Sequence, residues 1–142
     1  MKSERIYTQR GRVLAGDVER VVLFDGKYNT AFRILEFTVC PQDISTSENV
    51  SMKVMTESRP HSAVWFWSRQ SEVAWALFDR ATSVSPGLFS KFDKDALIVE
   101  DLFLDATADS GEYVNYMITL EKVSMSEWLG ALAMVRNSNQ DV

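Results

Sequence analysis

The sequence contains one histidine and one cysteine, His61 and Cys40, which limits the catalytic sets it can form. A nucleophilic triad needs a histidine or a similar base beside the nucleophile. His61 follows Pro60, so we expect it in an exposed loop without a catalytic partner. Cys40 precedes Pro41 at the end of an apolar segment, which is typical of a small buried residue. These counts also exclude an internal disulfide and a zinc site built mainly from Cys and His.

Acidic residues offer two further kinds of chemistry. The stretch 105–112 carries Asp105, Asp109 and Glu112, and one turn can bring three such acids round a calcium ion. Its spacing is not that of an EF-hand. Because a loop of a β-sandwich can bind calcium without a regular motif, the sequence leaves calcium binding there open. Two acids from distant strands can also meet in a cleft, which keeps a small hydrolase with paired carboxylates as a third interpretation. The absence of GxGxxG and GxxxxGK[ST] argues against the nucleotide-dependent enzymes that use those motifs.

Tryptophans form the remaining candidate site. Trp65, Trp67 and Trp75 lie within 11 residues, together with Phe66. Indole faces stack on sugars, and an aromatic platform on a β-sandwich is how many carbohydrate-binding modules work, which is an analogy of fold. The structural alternative is that strand alternation sends Trp65 and Trp67 into the core. The sequence therefore predicts either a sugar platform or a buried aromatic cluster.

The charge is unevenly distributed along the chain. The 15 basic and 20 acidic residues give a net charge of −5, which argues against direct binding to nucleic acid. Residues 1–33 nevertheless hold seven bases and four acids, whereas the remainder holds eight bases and 16 acids. Either this is an ordinary solvated strand face, or a basic end meets an acidic neighbour. The simplest acidic neighbour is another copy of the chain.

Period-2 alternation predicts about eight antiparallel strands and a single domain over residues 1–142. Glu72–Phe78 also fits a helical turn, and residues 80–94 are predicted to be a long loop. The strands are expected at 5–14, 18–24, 31–40, 50–56, 62–67, 72–78, 97–105 and 113–123. Because strands do not alternate with helices, the fold class is all-β, an antiparallel β-sandwich that is jelly-roll-like. With no apolar stretch approaching 18 residues and no secretory leader at Met1, we expect neither a membrane span nor secretion.

The C-terminal residues change period. Trp128, Leu132 and Val135 share one helical face, and the segment is apolar on most sides. Such a helix must pack on a sheet end or in a neighbouring subunit. We therefore expect 124–142 to form a short C-terminal helix or arm. Trp128, Leu132 and Val135 are predicted as apolar subunit contacts, and Arg5, Arg10 and Arg12 as electrostatic ones.

Five segments resemble small structural proteins encoded by marine bacteriophages. These segments are LFDGKYN at 23–29, ILEFTV at 34–39, IVEDLFL at 98–104, YVNYMITLEKV at 113–123 and WLGALAMVRN at 128–137. The resemblance implies a β-sandwich protein of the virion: a capsid, penton, decoration or tail-associated subunit. It implies no catalytic residue. The net negative charge departs from capsid proteins that bind the genome through a basic arm, which favours an outer or accessory position.

The expected function is therefore that of a non-enzymatic virion structural protein that assembles through its terminal segments. Its expected partners are copies of itself and other virion proteins, with no membrane and no cofactor or metal. The alternative is a carbohydrate-binding or receptor-binding β-sandwich module with a glycan partner, which would use Trp65, Trp67 or Trp75.

Overall fold

A computed structural model describes residues 6–23, 30–45, 49–79 and 87–124. Within these ranges every regular element is a β-strand, which confirms the all-β prediction. The eight strands are β1 (Ile6–Leu14), β2 (Val18–Val21), β3 (Thr30–Pro41), β4 (Val50–Met55), β5 (Glu72–Asp79), β6 (Gly87–Phe92), β7 (Leu102–Ala108) and β8 (Tyr113–Ser124). The described part contains no helix long and apolar enough to cross a membrane.

The strands form two antiparallel sheets that pack face to face as a β-sandwich. One sheet has three strands in the order β1-β8-β3, and the other has five in the order β2-β7-β4-β5-β6. An eight-stranded hairpin wound into a jelly roll would pair β1 with β8, β2 with β7, β3 with β6 and β4 with β5. The first, second and fourth of these pairs are present. In place of the third, β6 forms a hairpin ladder with β5 and remains in the five-stranded sheet.

Alternation along the central strands builds the core. In β8, Val114, Tyr116, Ile118 and Leu120 are buried and point between the sheets, as their spacing predicts. Alternate apolar residues from β4 and β7 of the five-stranded sheet pack against them. These are Val50, Met52, Val54, Leu102, Leu104 and Ala106.

One predicted strand is absent and one observed strand was predicted as a loop, although the total of eight was right. Residues 62–67 form no strand, because their backbone groups bond to charged side chains beneath them, as described below. The predicted long loop contains β6, whose residues pair with β5 from Gly87 onward. The alternative helical turn at 72–78 is also wrong, since these residues lie in β5.

The strand predicted at 97–105 begins later, at Leu102. Before it, Ile98 exchanges two backbone hydrogen bonds with Phe32 of β3 in the other sheet, at 2.7 and 2.8 Å. Asp101 then accepts a hydrogen bond from the Leu23 amide at 3.0 Å. This segment therefore crosses between the two sheets before it enters the ladder of β7. Arg5 and the contact residues of the predicted C-terminal helix or arm, Trp128, Leu132 and Val135, lie outside the described residues.

The turn between β1 and β2 depends on Gly16, which has a φ of 94°. We expect Gly16→Ala to lower the free energy of unfolding by about 1–2 kcal/mol, because a Cβ is strained in the left-handed region. Gly111→Ala is the matched control, since an added Cβ meets nothing within 4 Å at either position and only Gly16 has a positive φ. Urea denaturation of the two variants would measure the difference. An equal effect of both substitutions would contradict this account.

Candidate functional site

Three charged side chains are buried in a row on the outer face of the five-stranded sheet. Lys53 of β4 lies directly opposite Asp105 of β7, and Glu72 begins β5 on the other side of β4. Lys53 is flanked in sequence by the core residues Met52 and Val54, so the pleat directs it away from the core. All three charged residues are almost completely buried. Buried charges are costly unless they are paired and hydrogen-bonded, so something must cover and satisfy them.

Residues 56–71, which connect β4 to β5 and are called here the covering segment, supply these partners. At one end, Asp105 Oδ1 lies 2.5 Å from His61 Nδ1, and Asp105 Oδ2 accepts a hydrogen bond from the Ser62 amide at 2.9 Å. The carboxylate thus fixes both the imidazole and the backbone of the segment. Charge-assisted bonds of this kind are roughly twice as strong as those between neutral groups.

The other end of the covering segment is held by Lys53 and Glu72. Lys53 Nζ donates to the Val64 carbonyl at 2.7 Å and lies 3.4 Å from Glu72 Oε2. Glu72 Oε1 accepts from the Phe66 amide at 2.8 Å and from Trp75 Nε1 at 3.1 Å. Three neighbouring strands therefore bind alternate residues of the segment, at positions 62, 64 and 66.

This anchoring places two tryptophans on the outside of the segment, beside a phenylalanine of β6. The ring of Phe89 lies 6.0 Å from that of Trp65 at an interplanar angle of 27°, and 6.4 Å from that of Trp67 at 13°. Rings that are nearly parallel at such separations are offset rather than superposed. Trp67 is 57% exposed and Phe89 38%. We call Trp65, Trp67 and Phe89 the aromatic surface.

The structure separates the three predicted platform residues. Trp65 and Trp67 both contact Phe89, whereas Trp75 is only 7% exposed. Trp75 supports Trp67 from below, with ring centroids 5.5 Å apart. Trp67 is exposed, as a sugar platform requires, whereas Trp75 beneath it is buried, as a core cluster requires. Neither prediction therefore describes all three residues. An exposed surface of this kind can stack on a sugar ring or pack against another apolar surface.

His61 has a more specific setting than the exposed loop that the sequence predicts. Its contact with buried Asp105 orients the imidazole, which is one requirement of a general base. A general base also needs, within reach of the ring, a nucleophile, a water or a substrate from which it takes a proton. The sequence's other nucleophile candidate, Cys40, lies on β3 in the opposite sheet. The His61–Asp105 contact therefore has a direct structural use, since it fastens the covering segment.

The two predicted contact residues within the described ranges, Arg10 and Arg12, lie on the outer face of the three-stranded sheet. Both are exposed, and they stand opposite Met117 and Asn115 of β8. The Arg12 guanidinium carbon lies 4.0 Å from the centre of the Tyr113 ring, a cation–π contact. They line a cleft of about 790 Å³, whose wall also includes Val39, Cys40, Phe78, Leu88 and Met117. Cationic and apolar groups thus share one open surface.

The acidic stretch 105–112 does not come together around one point. Asp105 binds the covering segment, Asp109 accepts from the Asn49 amide at 3.1 Å, and Glu112 accepts from the Asp43 amide at 3.2 Å. Among the described residues, no group of three or more His, Cys, Asp or Glu side chains is placed to hold a metal ion.

Sequence reasoning missed the burial of Lys53, Glu72 and Asp105, of which it considered Asp105 only as a calcium ligand, and it missed Phe89 altogether. Alternation alone directs Lys53 and Asp105 to the outer face, where a charged residue normally meets solvent. The only signal of their burial was the long aromatic connection between β4 and β5, which is apolar enough to cover a sheet face. Phe89 lay in the segment that Pro86 and Gly87 marked as a loop.

Comparisons with known proteins give no family for this chain. No family model matches it, and no curated protein and no solved structure matches it significantly.

The buried charges predict a large effect of Lys53→Met on stability. The substitution leaves the Glu72 carboxylate with only the more distant Arg69 guanidinium, at 3.9 Å, and the Val64 carbonyl without its donor. Removing one partner of a buried ion pair costs roughly 3–5 kcal/mol of unfolding free energy. Lys94→Met, in an exposed turn, is the matched control and should change stability by less than about 0.5 kcal/mol. Guanidinium denaturation would measure both, and a Lys53→Met protein as stable as the control would refute the anchoring role.

Proposed function

We propose that the chain is a non-enzymatic structural subunit of a bacteriophage virion that acts by self-assembly. The observation that carries this proposal is the exposed outer face of the three-stranded sheet, where Arg10 and Arg12 stand beside exposed Met117. The virion setting is supported by the resemblance of five segments of the sequence to phage structural proteins. In this proposal the sandwich is a rigid body, and its surfaces provide the contacts between subunits.

The physical basis of assembly is the combination of charge and apolar area on that face. The basic residues among the first 33 would meet the acidic surface of a neighbouring subunit. Exposed ion pairs contribute only about 0.2–1 kcal/mol each, so such a contact also needs the apolar area of Met117 and the cleft wall. The terminal contacts expected at Arg5, Trp128, Leu132 and Val135 belong to the same proposal.

The proposal predicts that Arg10→Gln together with Arg12→Gln weakens self-association. Removing both cations takes away the electrostatic attraction while leaving the strand pairing of β1 unchanged. Lys94→Glu changes the net charge by the same two units away from this face and serves as the control. Light scattering behind size exclusion, over a range of concentrations and salt, would measure the mass of each protein. If Lys94→Glu dissociates as readily as the double variant, the effect comes from the net charge and not from this face.

A second candidate function, a glycan-binding or receptor-binding module, is supported by the aromatic surface. Trp67 is more than half exposed and is backed by Trp75, so it is a rigid face of the kind on which sugars stack.

This second candidate predicts that soluble oligosaccharides quench or shift the tryptophan fluorescence, and that Trp67→Ala abolishes the response. Loss of the exposed indole removes the stacking face without opening the main core. Tyr113→Ala, which removes an exposed aromatic ring from the opposite sheet, should respond like the unmodified protein. A flat response across a broad panel of neutral and acidic oligosaccharides would argue against glycan binding.

A further inference from the structure

β6 is the last strand of the five-stranded sheet, and no described strand pairs with its outer edge. The direction of its backbone groups follows from the ladder with β5. The Asp93 amide donates to the Val73 carbonyl at 2.8 Å, so by the alternation of a strand Phe89 and Lys91 also direct their amides and carbonyls toward β5. The residues between them direct theirs away from β5. These are Leu88, Ser90 and Phe92.

The missing pair of the jelly-roll pattern explains why no described strand pairs with this edge. β3 would be the partner of β6, yet β3 packs on β6 without a ladder of backbone hydrogen bonds. The side-chain hydroxyl of Ser90 donates to the Phe37 carbonyl of β3 and holds the two strands together. The contact with β3 is therefore made by the inner face of β6 and leaves its backbone edge pointing outward.

The edge is apolar on both of its faces. Leu88 on the inner side is 71% exposed and borders the cleft, and Phe89 on the outer side belongs to the aromatic surface. Lys91 is the only charged residue of the strand. Edge strands are usually protected by charges, prolines, bulges or very short length, because open edges pair with other chains. The ladder of β6 with β5 runs without a bulge, and its six residues contain no proline.

We infer that β6 pairs antiparallel with β6 of a second copy, joining two five-stranded sheets into one of ten strands. This inference rests on the proposed self-assembly and names one surface for it. A two-fold axis requires a self-complementary strand. With Leu88 opposite Ser90 of the other copy, the outward backbone groups of both strands bond to each other. Phe89 then faces its own copy across the axis.

The side chains fit this register. Phe89 and its copy form the pair without mutual backbone bonds, in which side chains approach most closely. Each Lys91 stands opposite Gly87 of the other copy, where the absence of a side chain opens a path toward Asp79, the β5 neighbour of Gly87. The two aromatic surfaces meet at the axis, and this contact covers the exposed part of Phe89. The edge of β6 is therefore complementary to the same edge of a second copy.

The test compares Leu88→Pro with Leu88→Ala by light scattering over a range of concentrations. Proline removes an amide that points away from β5, so the fold remains and the edge is blocked. We expect Leu88→Pro to weaken dimerisation by about tenfold or more relative to Leu88→Ala. At concentrations where both variants are monomers their thermal midpoints should be the same, because dimerisation itself raises the midpoint. Equal association of the two variants would overturn the pairing of β6.

Cross-linking tests the register. In a Cys40→Ser background, Phe89→Cys places two thiols across the axis with Cα atoms about 4.5 Å apart, within the range of a disulfide. Lys91→Cys, on the same face of the same strand, is the control, because its copy lies about 13 Å away. We expect a disulfide-linked dimer from Phe89→Cys alone, and linkage of the control instead would overturn the register.

The outcomes also separate this inference from the proposed function. If the unmodified chain is a monomer at every concentration, both fail. If it associates, but Leu88→Pro and Phe89→Cys behave like the unmodified chain while the double arginine variant dissociates, β6 is not the contact and self-assembly remains.

Discussion

The burial of Asp105, Lys53 and Glu72 on the outer face of the five-stranded sheet is the constraint on which the rest of that side depends. A charge in an apolar environment costs much free energy unless it has a partner. Here most of the partners are backbone groups of the covering segment. The covering segment therefore has no freedom to form a strand of its own. Its amides and carbonyls at alternate positions are committed to the sheet below, which is why an aromatic, strand-like stretch becomes an irregular cover.

The ion pair does not need to stabilise the fold to be useful. Replacing a buried pair with apolar side chains of similar volume is often neutral or stabilising, whereas hydrogen-bonded charges select one arrangement among several. An apolar underside would allow residues 56–71 to slide over the sheet. Charges at three successive strands fix the segment in one position, and this position holds Trp65 and Trp67 beside Phe89. The same bonds that satisfy the buried charges thus determine the exposed surface.

The two sheets differ in how they meet their surroundings. The covering segment lies over the buried charges of the five-stranded sheet, which ends at β6. No described strand pairs with the outer edge of β6, because β6 remains with β5 instead of pairing with β3. The three-stranded sheet exposes its outer face, with Arg10 and Arg12 beside Met117. An open edge and an open face are the two kinds of surface through which a β-sandwich associates without losing its own core. Both support an assembly role.

The sequence by itself determined the fold class and most of the core, whereas its total of eight strands was right only because one absent strand offsets one that was missed. Alternation is a local signal, so the inward residues of β8 could be read directly from their spacing. Alternation also places Arg10 and Arg12 on one face of β1, and their role as subunit contacts stays a prediction. Only the tertiary structure decided the fate of residues 62–67 and 87–92. The first segment has strand-like residues without a strand partner, and the second has turn-like residues before it but a partner in β5. Whether a segment forms a strand depends on whether another strand lies beside it in the folded chain, and this is not a local property of the sequence. For the same reason, the outward-directed charges of Lys53 and Asp105 were recognisable as a site only once the segment that covers them was in place.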